Sequence, residues 1–169
     1  MATSSFFTGL KYYLKSKQGK SHVISYPDDL DTSKLDNAAY AAMDVFNKYM
    51  ERKTGEVNYF DVTFKPDTTI DGKEFSLEIS VSYNDKDSNC LDVWFSLILP
   101  FSEKEGKKFL KKFRDENNLI DIPLYSRVSE FRISGDSRYI YMILRSLGLN
   151  ASQIDWEYVK TDASVSDEF

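Results

Sequence analysis

Hydrophobic and polar residues alternate with a period of two over three segments in the middle of the chain. In segment 74–83, apolar or aromatic residues alternate with serine and glutamate, and segments 57–64 and 91–99 show a similar alternation. A period of two is typical of strands with one buried face. Polar turn-forming residues at 66–72 and 84–89 separate the three segments. We therefore predict a three-stranded antiparallel meander, extended by one or two short strands near 128–133 and 154–158.

Apolar residues at helical spacing surround these strands, and helix-ending signals accompany them. Ser102 and Glu105 match a capping box, Asp136 or Ser134 can cap a later helix, and Gly148 occupies the position of a left-handed terminating residue. The order of elements indicates an α+β fold in which about four helices cover one face of the meander. The predicted helices cover about residues 4–17, 33–54, 102–117 and 136–147.

The length of 169 residues is that of one ordinary domain. We predict a single α+β domain over residues 1–160 and a disordered acidic tail over 161–169. The first residues lack the long apolar run of a signal peptide, and no stretch approaches the roughly 18 apolar residues of a membrane span. We therefore expect a cytoplasmic protein that does not enter a membrane.

Residue types that carry much of enzyme chemistry are scarce in this chain. His22 is the only histidine and Cys90 the only cysteine, so the usual Cys/His zinc sets cannot form. The glycine-rich motifs that cradle phosphates do not occur. Asp136 in the stretch Ser134–Ser137 is interpreted as a helix cap rather than as part of an anion site. We therefore expect no catalytic residues, no metal site and no cofactor.

The polar side of the predicted meander is the main candidate surface. If the apolar residues face the helices, the intervening residues share the opposite face. An outward tryptophan beside a tyrosine resembles the anchor of a protein interface, although a solvated polar face is the simpler interpretation. The candidate interface residues are Tyr59, Asp61, Glu78, Asp92 and Trp94. As an alternative, Asp61, Glu78 and Asp92 could bind Mg²⁺ and support phosphodiester chemistry.

Two basic segments, 11–20 and 104–114, are a second candidate. A basic helical face can contact phosphate groups, but the net charge of −5 gives no overall attraction to nucleic acid. Lysines on an amphipathic helix also serve simply as a solvated face. The candidate phosphate contacts are Lys107, Lys108, Lys111, Lys112 and Arg114.

These observations favour a non-enzymatic protein-binding domain, which would act as an adaptor, chaperone or inhibitor. A phage or mobile-element inhibitor of a nucleic-acid-handling host protein is one specific form, because acidic side chains complement a basic groove. A nucleic-acid-associated accessory protein that uses the basic segments is the first alternative. The metal-dependent enzyme is the second. A homo-oligomer is compatible with all three.

Overall fold

The structure is a computed structural model, and it describes residues 26–53, 55–84, 90–117, 125–127 and 130–166. The helix predicted over 4–17, the basic segment 11–20 and His22 lie outside the described residues.

The described residues form three α-helices and six strands, together with one short 3-10 helix at Ala151–Gln153. The helices are α1 (Ser33–Met50), α2 (Glu103–Glu116) and α3 (Ser137–Ser146). The strands are β1 (Glu56–Pro66), β2 (Ser76–Tyr83), β3 (Leu91–Leu99), β4 (Tyr125–Arg127), β5 (Glu130–Gly135) and β6 (Trp156–Ser166).

All six strands belong to one sheet in the order β4-β5-β3-β2-β1-β6, and each neighbouring pair is antiparallel. The α+β class is thus confirmed, and the three predicted strands are neighbours within a larger sheet. The finer prediction matches only roughly, because the described residues contain three helices rather than about four, and three further strands rather than one or two. The hairpin β4–β5 joins beside β3, and the long strand β6 returns to pair with β1.

The helices pack on one face of the sheet, which we call the inner face. The alternating apolar residues of the meander point to this face, and Leu77, Ile79, Val93 and Phe95 are all fully or almost fully buried, as the sequence predicts. Helix α1 lies over β2, and α3 lies across β3 and β5. The core is therefore a single layer of aliphatic and aromatic side chains between sheet and helices.

Local capping residues explain where two of the helices begin. In α2, the Ser102 hydroxyl accepts the Glu105 N–H at 3.1 Å while the Glu105 carboxylate accepts the Ser102 N–H at 3.1 Å. This is the predicted capping box. In α3, the Asp136 carboxylate accepts the Tyr139 N–H at 2.8 Å, so Asp136 is the cap, as predicted.

The end of α3 has the predicted form as well. Gly148 adopts a φ of +83°, and the Leu149 N–H donates to the Leu144 carbonyl at 2.9 Å. This bond spans the last turn and satisfies a carbonyl that the helix itself leaves unpaired.

The predicted tail boundary at residue 161 is wrong for the described residues. Strand β6 continues to Ser166 because Thr161 and Ala163 lie directly opposite Val62 and Phe60 of β1. The close approach of Ser166 also explains Gly55, where an added Cβ would lie 1.3 Å from the Ser166 carbonyl oxygen. Backbone pairing with β1 therefore orders a segment that its polar composition marks as a tail.

None of the helices in the described ranges combines the length and the apolar character that crossing a membrane requires.

Candidate protein-binding surface

The sheet face opposite the helices, here called the outer face, carries all five residues predicted as interface candidates. Asp61 of β1 lies directly opposite Ser80 of β2, and Ser80 lies opposite Trp94 of β3. Directly opposed residues project to the same side of a sheet, as do residues two positions apart along a strand. Tyr59, Glu78 and Asp92 each precede one of these three residues by two positions, so they share the face.

The candidates near the start of β1 and β3 form the accessible end of the outer face. The Tyr59 ring is 51% exposed. Asp92 is exposed and accepts a hydrogen bond from the Asn84 amide at 2.9 Å. Asp61 is half-buried and accepts one from the Ser80 hydroxyl at 2.7 Å. The Trp94 ring is partly buried, so this end offers two aromatic rings and two carboxylates.

Glu78 differs from the other four candidates because it is committed to an enclosed ion pair. Its two carboxylate oxygens accept from the two terminal nitrogens of Arg132, at 2.7 and 3.3 Å. Arg132 also donates to Glu130 at 3.0 Å. The Arg132 and Glu78 side chains are only 7% and 12% exposed. Glu78 therefore holds β2 to β5, and little of its side chain is left accessible to a partner.

The neighbouring part of the outer face is also buried. The Ser96 and Ser134 hydroxyl groups, on β3 and β5, are 2.8 Å apart and enclosed. Sequence reasoning did not include Arg132 and Ser134 in this face, because their inclusion depends on how β5 docks against β3. The accessible part of the outer face is consequently the end that holds Tyr59, Asp61, Asp92 and Trp94.

The three carboxylates of the metal alternative do not converge on one point. Strand β2 lies between the strands that carry Asp61 and Asp92, and both oxygens of Glu78 bind Arg132. Across the residues that the structure describes, no group of three or more His, Cys, Asp or Glu side chains is arranged to hold a metal ion. The geometry of this face gives no support to the magnesium alternative.

Strand β6 adds residues to the outer face that were not among the candidates. Asp162 lies directly opposite Asp61, and Lys160 of the same strand forms an ion pair with Asp162 at 3.4 Å. The alternation of Trp156 and Tyr158 signals the start of this strand. Its continuation was missed because the inward positions 161 and 163 hold Thr and Ala rather than large apolar residues.

The basic residues of α2 divide into paired and unpaired groups. Lys107 pairs with Glu103 at 3.0 Å, Lys112 with Glu116 at 3.8 Å, and Arg114 contacts Asp115 at 3.9 Å. Three of the five residues predicted to contact phosphate therefore already have a carboxylate partner within α2.

The remaining lysines of α2 form a row along one side of the helix, since their spacing is four and then three residues. All three are exposed, and none has an ion-pair partner among the described residues. We call Lys104, Lys108 and Lys111 the lysine row.

A second polar cluster joins α1 to the start of α3. Burial raises the pKa of Asp136. The hydrogen bond from the Tyr139 N–H and the charge of Arg138 act in the opposite direction but do not cancel this effect. Burial likewise raises the pKa of Asp36, whose carboxylate accepts from the Thr32 hydroxyl at 2.7 Å. Raised carboxyl pKa values mark candidate catalytic sites. Here, however, Asp136 and Tyr139 are fully enclosed, so the cluster is out of reach of a substrate and serves to fix the two helices.

Comparisons of the chain with known protein families, with curated proteins and with solved structures give no significant match.

Proposed function

We propose that this protein is a non-enzymatic protein-binding domain that covers a partner's surface with the accessible end of its outer face. The observation that carries the proposal is the grouping of Tyr59, Asp61, Asp92 and Trp94 on one sheet face. Aromatic side chains bury a large area at a small entropic cost, and they are enriched among the residues that dominate binding energy.

The charge of this surface favours a basic partner. Asp61 and Asp92 are joined on the same face by Asp162, and the whole chain carries a net charge of −5. Complementary potentials accelerate encounter and discourage wrong partners. A nucleic-acid-handling protein has a basic groove that suits such a surface. Within the broader class of adaptors, chaperones and inhibitors, we propose an inhibitor of phage or mobile-element origin that acts on such a protein.

The first test compares surface variants for their retention of partners. Wild-type protein, Tyr59→Ala and Asp92→Lys are immobilised, and proteins bound from a lysate of the native host are quantified by mass spectrometry. We expect a partner retained by the wild type to be lost from both variants. The free energy of its binding to Tyr59→Ala should be weaker by roughly 2 kcal/mol or more, because Tyr59 is the most exposed aromatic ring of the proposed contact.

Tyr40 provides the matched control. Its ring is 45% exposed, close to that of Tyr59, but it lies on α1 on the other side of the sheet. Tyr40→Ala should retain the partner as the wild type does, and circular dichroism should show that all variants fold. A partner retained equally by Tyr59→Ala, Asp92→Lys and the wild type would contradict the proposal.

A nucleic-acid-associated function is the second candidate, and the lysine row is the observation that favours it. Three exposed lysines on one helical side, without carboxylate partners among the described residues, could contact successive phosphate groups. The acidity of the whole chain opposes this function. The salt dependence of oligonucleotide binding separates the two candidates.

A further inference from the structure

Strand β6 is a long strand at the edge of the sheet. It pairs with β1 along residues Glu56–Pro66, with register shifts between Val57 and Tyr59 and at Val159 of β6, and no described strand lies on its other side. Among its 11 residues are two exposed large apolar side chains, Tyr158 at 50% and Val159 at 47%. An edge strand of this length presents a row of backbone N–H and C=O groups, which is a template for pairing with another strand.

We propose that β6 pairs with β6 of a second copy of this chain, in an antiparallel arrangement centred on Thr161. This inference goes beyond the proposed function, because it concerns the sheet edge and requires no other protein. The two sheets would become continuous across a two-fold axis. Such an interface is self-complementary, since the same residues face each other from both sides.

The charge pattern of β6 selects this register. In a symmetric antiparallel pair centred on Thr161, each residue lies opposite the one equally far on the other side of the centre. Lys160 then lies opposite Asp162 of the second copy, and Asp162 lies opposite Lys160. Thr161 lies opposite itself, and the irregular residue Val159 lies outside this charged centre of residues 160–162. Opposite charges facing each other across a strand pair stabilise the pairing.

Neighbouring registers lose this complementarity. A pair centred on residue 160 would place two lysines opposite each other, and one centred on residue 162 would oppose two aspartates. Like charges in such positions destabilise a sheet. A centre between Tyr158 and Val159 would oppose Glu157 and Lys160, but it would leave the end of the strand after Thr161 unpaired. Only the centre on Thr161 both uses the full strand and matches its charges.

The second copy would also offset a repulsion within each chain. Asp61 and Asp162 are directly opposed across β1 and β6, and each has local compensation from Ser80 and Lys160, respectively. Pairing would bring Lys160 of the second copy to the other side of Asp162. Asp162 would then have two lysines near it, one from each copy, so the charges of β6 favour a second copy over a neutral strand.

The first experiment uses charge reversal and sedimentation velocity. We expect the wild type to be a dimer, and Lys160→Asp and Asp162→Lys each to dimerise at least about tenfold more weakly, since each opposes like charges. An equal mixture of the two variants should form a heterodimer, because one chain then carries two acidic and the other two basic residues at these positions. Lys48→Asp, an equal charge change on α1, should leave the dimer unchanged.

The second experiment fixes the register by cross-linking. In a Cys90→Ser background, Thr161→Cys should form a disulfide between two chains under mild oxidation. Opposed residues of an antiparallel pair have Cα atoms about 4.5–5.5 Å apart, within the range of a disulfide. Ser164→Cys should not cross-link, because Ser164 would lie opposite Tyr158. A monomeric wild type, or cross-linking through Ser164 rather than Thr161, would overturn the proposal.

Discussion

At the scale of single residues, the ion pair between Arg132 and Glu78 is the most informative contact of the outer face. Both side chains are largely enclosed and joined by two hydrogen bonds. We expect Arg132→Met to lower the free energy of unfolding by roughly 3–5 kcal/mol, because it leaves the Glu78 charge buried without its partner. Urea denaturation followed by circular dichroism measures this loss.

The matched control replaces both partners. Arg132→Met combined with Glu78→Leu should recover most of the stability, since a buried ion pair and a well-packed apolar pair have similar net energies. A double variant as unstable as Arg132→Met alone would contradict an energetic coupling between the two residues.

Sequence parity predicts the side of a strand on which a residue lies, but not its partner. Glu78, Asp92 and Trp94 share a face because the side-chain period of a strand is two. The partner of Glu78 lies 54 positions away on a strand that docks through a long connection. Strand register depends on that connection and on packing. The alternating pattern alone could therefore predict neither the burial of Glu78 nor the position of Arg132 on the outer face.

At the scale of elements, Gly106 controls how closely α2 approaches the sheet. Alanine at an interior helix position is about 1 kcal/mol more favourable than glycine. A Cβ at Gly106, however, would lie 2.0 Å from a ring carbon of Phe131. That ring is buried and packs against Phe101. We expect Gly106→Ala to lower the free energy of unfolding, because overpacking costs roughly 1–3 kcal/mol and outweighs the helical preference.

Thermal and urea denaturation of Gly106→Ala measure this effect, with Phe131→Leu as the compensating change. The cost of Gly106→Ala should be smaller in the Phe131→Leu background than in the wild type, because the smaller side chain yields the space. A stabilised Gly106→Ala variant would mean that α2 does not lie against Phe131.

The sequence predicts well the elements that have one strongly apolar side. Strands β2 and β3 and helices α2 and α3 match their predicted ranges closely because burial dictates their periodicity. Strand β6 extends past its predicted end, since its inward residues at the sheet margin need little apolar surface. Strand β4 was missed because its three residues are ordered by pairing with β5 alone.

At the scale of the whole molecule, two surfaces of opposite charge occupy different parts of the fold. The acidic and aromatic outer face lies on one side of the sheet, while α2, with the lysine row, packs on the other. Fold class follows from hydrophobic burial, which a periodic segment repeats along its length, and helix limits follow from local caps as well. Function depends on a few exposed side chains that do not recur with a regular period. The sequence could therefore only favour one of the two surfaces as the binding site.

Oligonucleotide binding at several salt concentrations decides between these surfaces. With a net charge of −5, we expect no measurable binding of duplex or single-stranded oligonucleotides at about 150 mM salt, by fluorescence anisotropy. Residual binding at about 50 mM salt should disappear when the lysine row is changed to glutamate, because three exposed positive charges become negative charges that repel phosphate. The control changes Lys48, Lys53 and Lys73, exposed lysines elsewhere, to glutamate and should leave that residual binding in place. Tight binding at about 150 mM salt, with a logarithmic salt slope near −3 that the lysine-row change abolishes, would contradict the protein-binding proposal, because three neutralised phosphates account for such a slope.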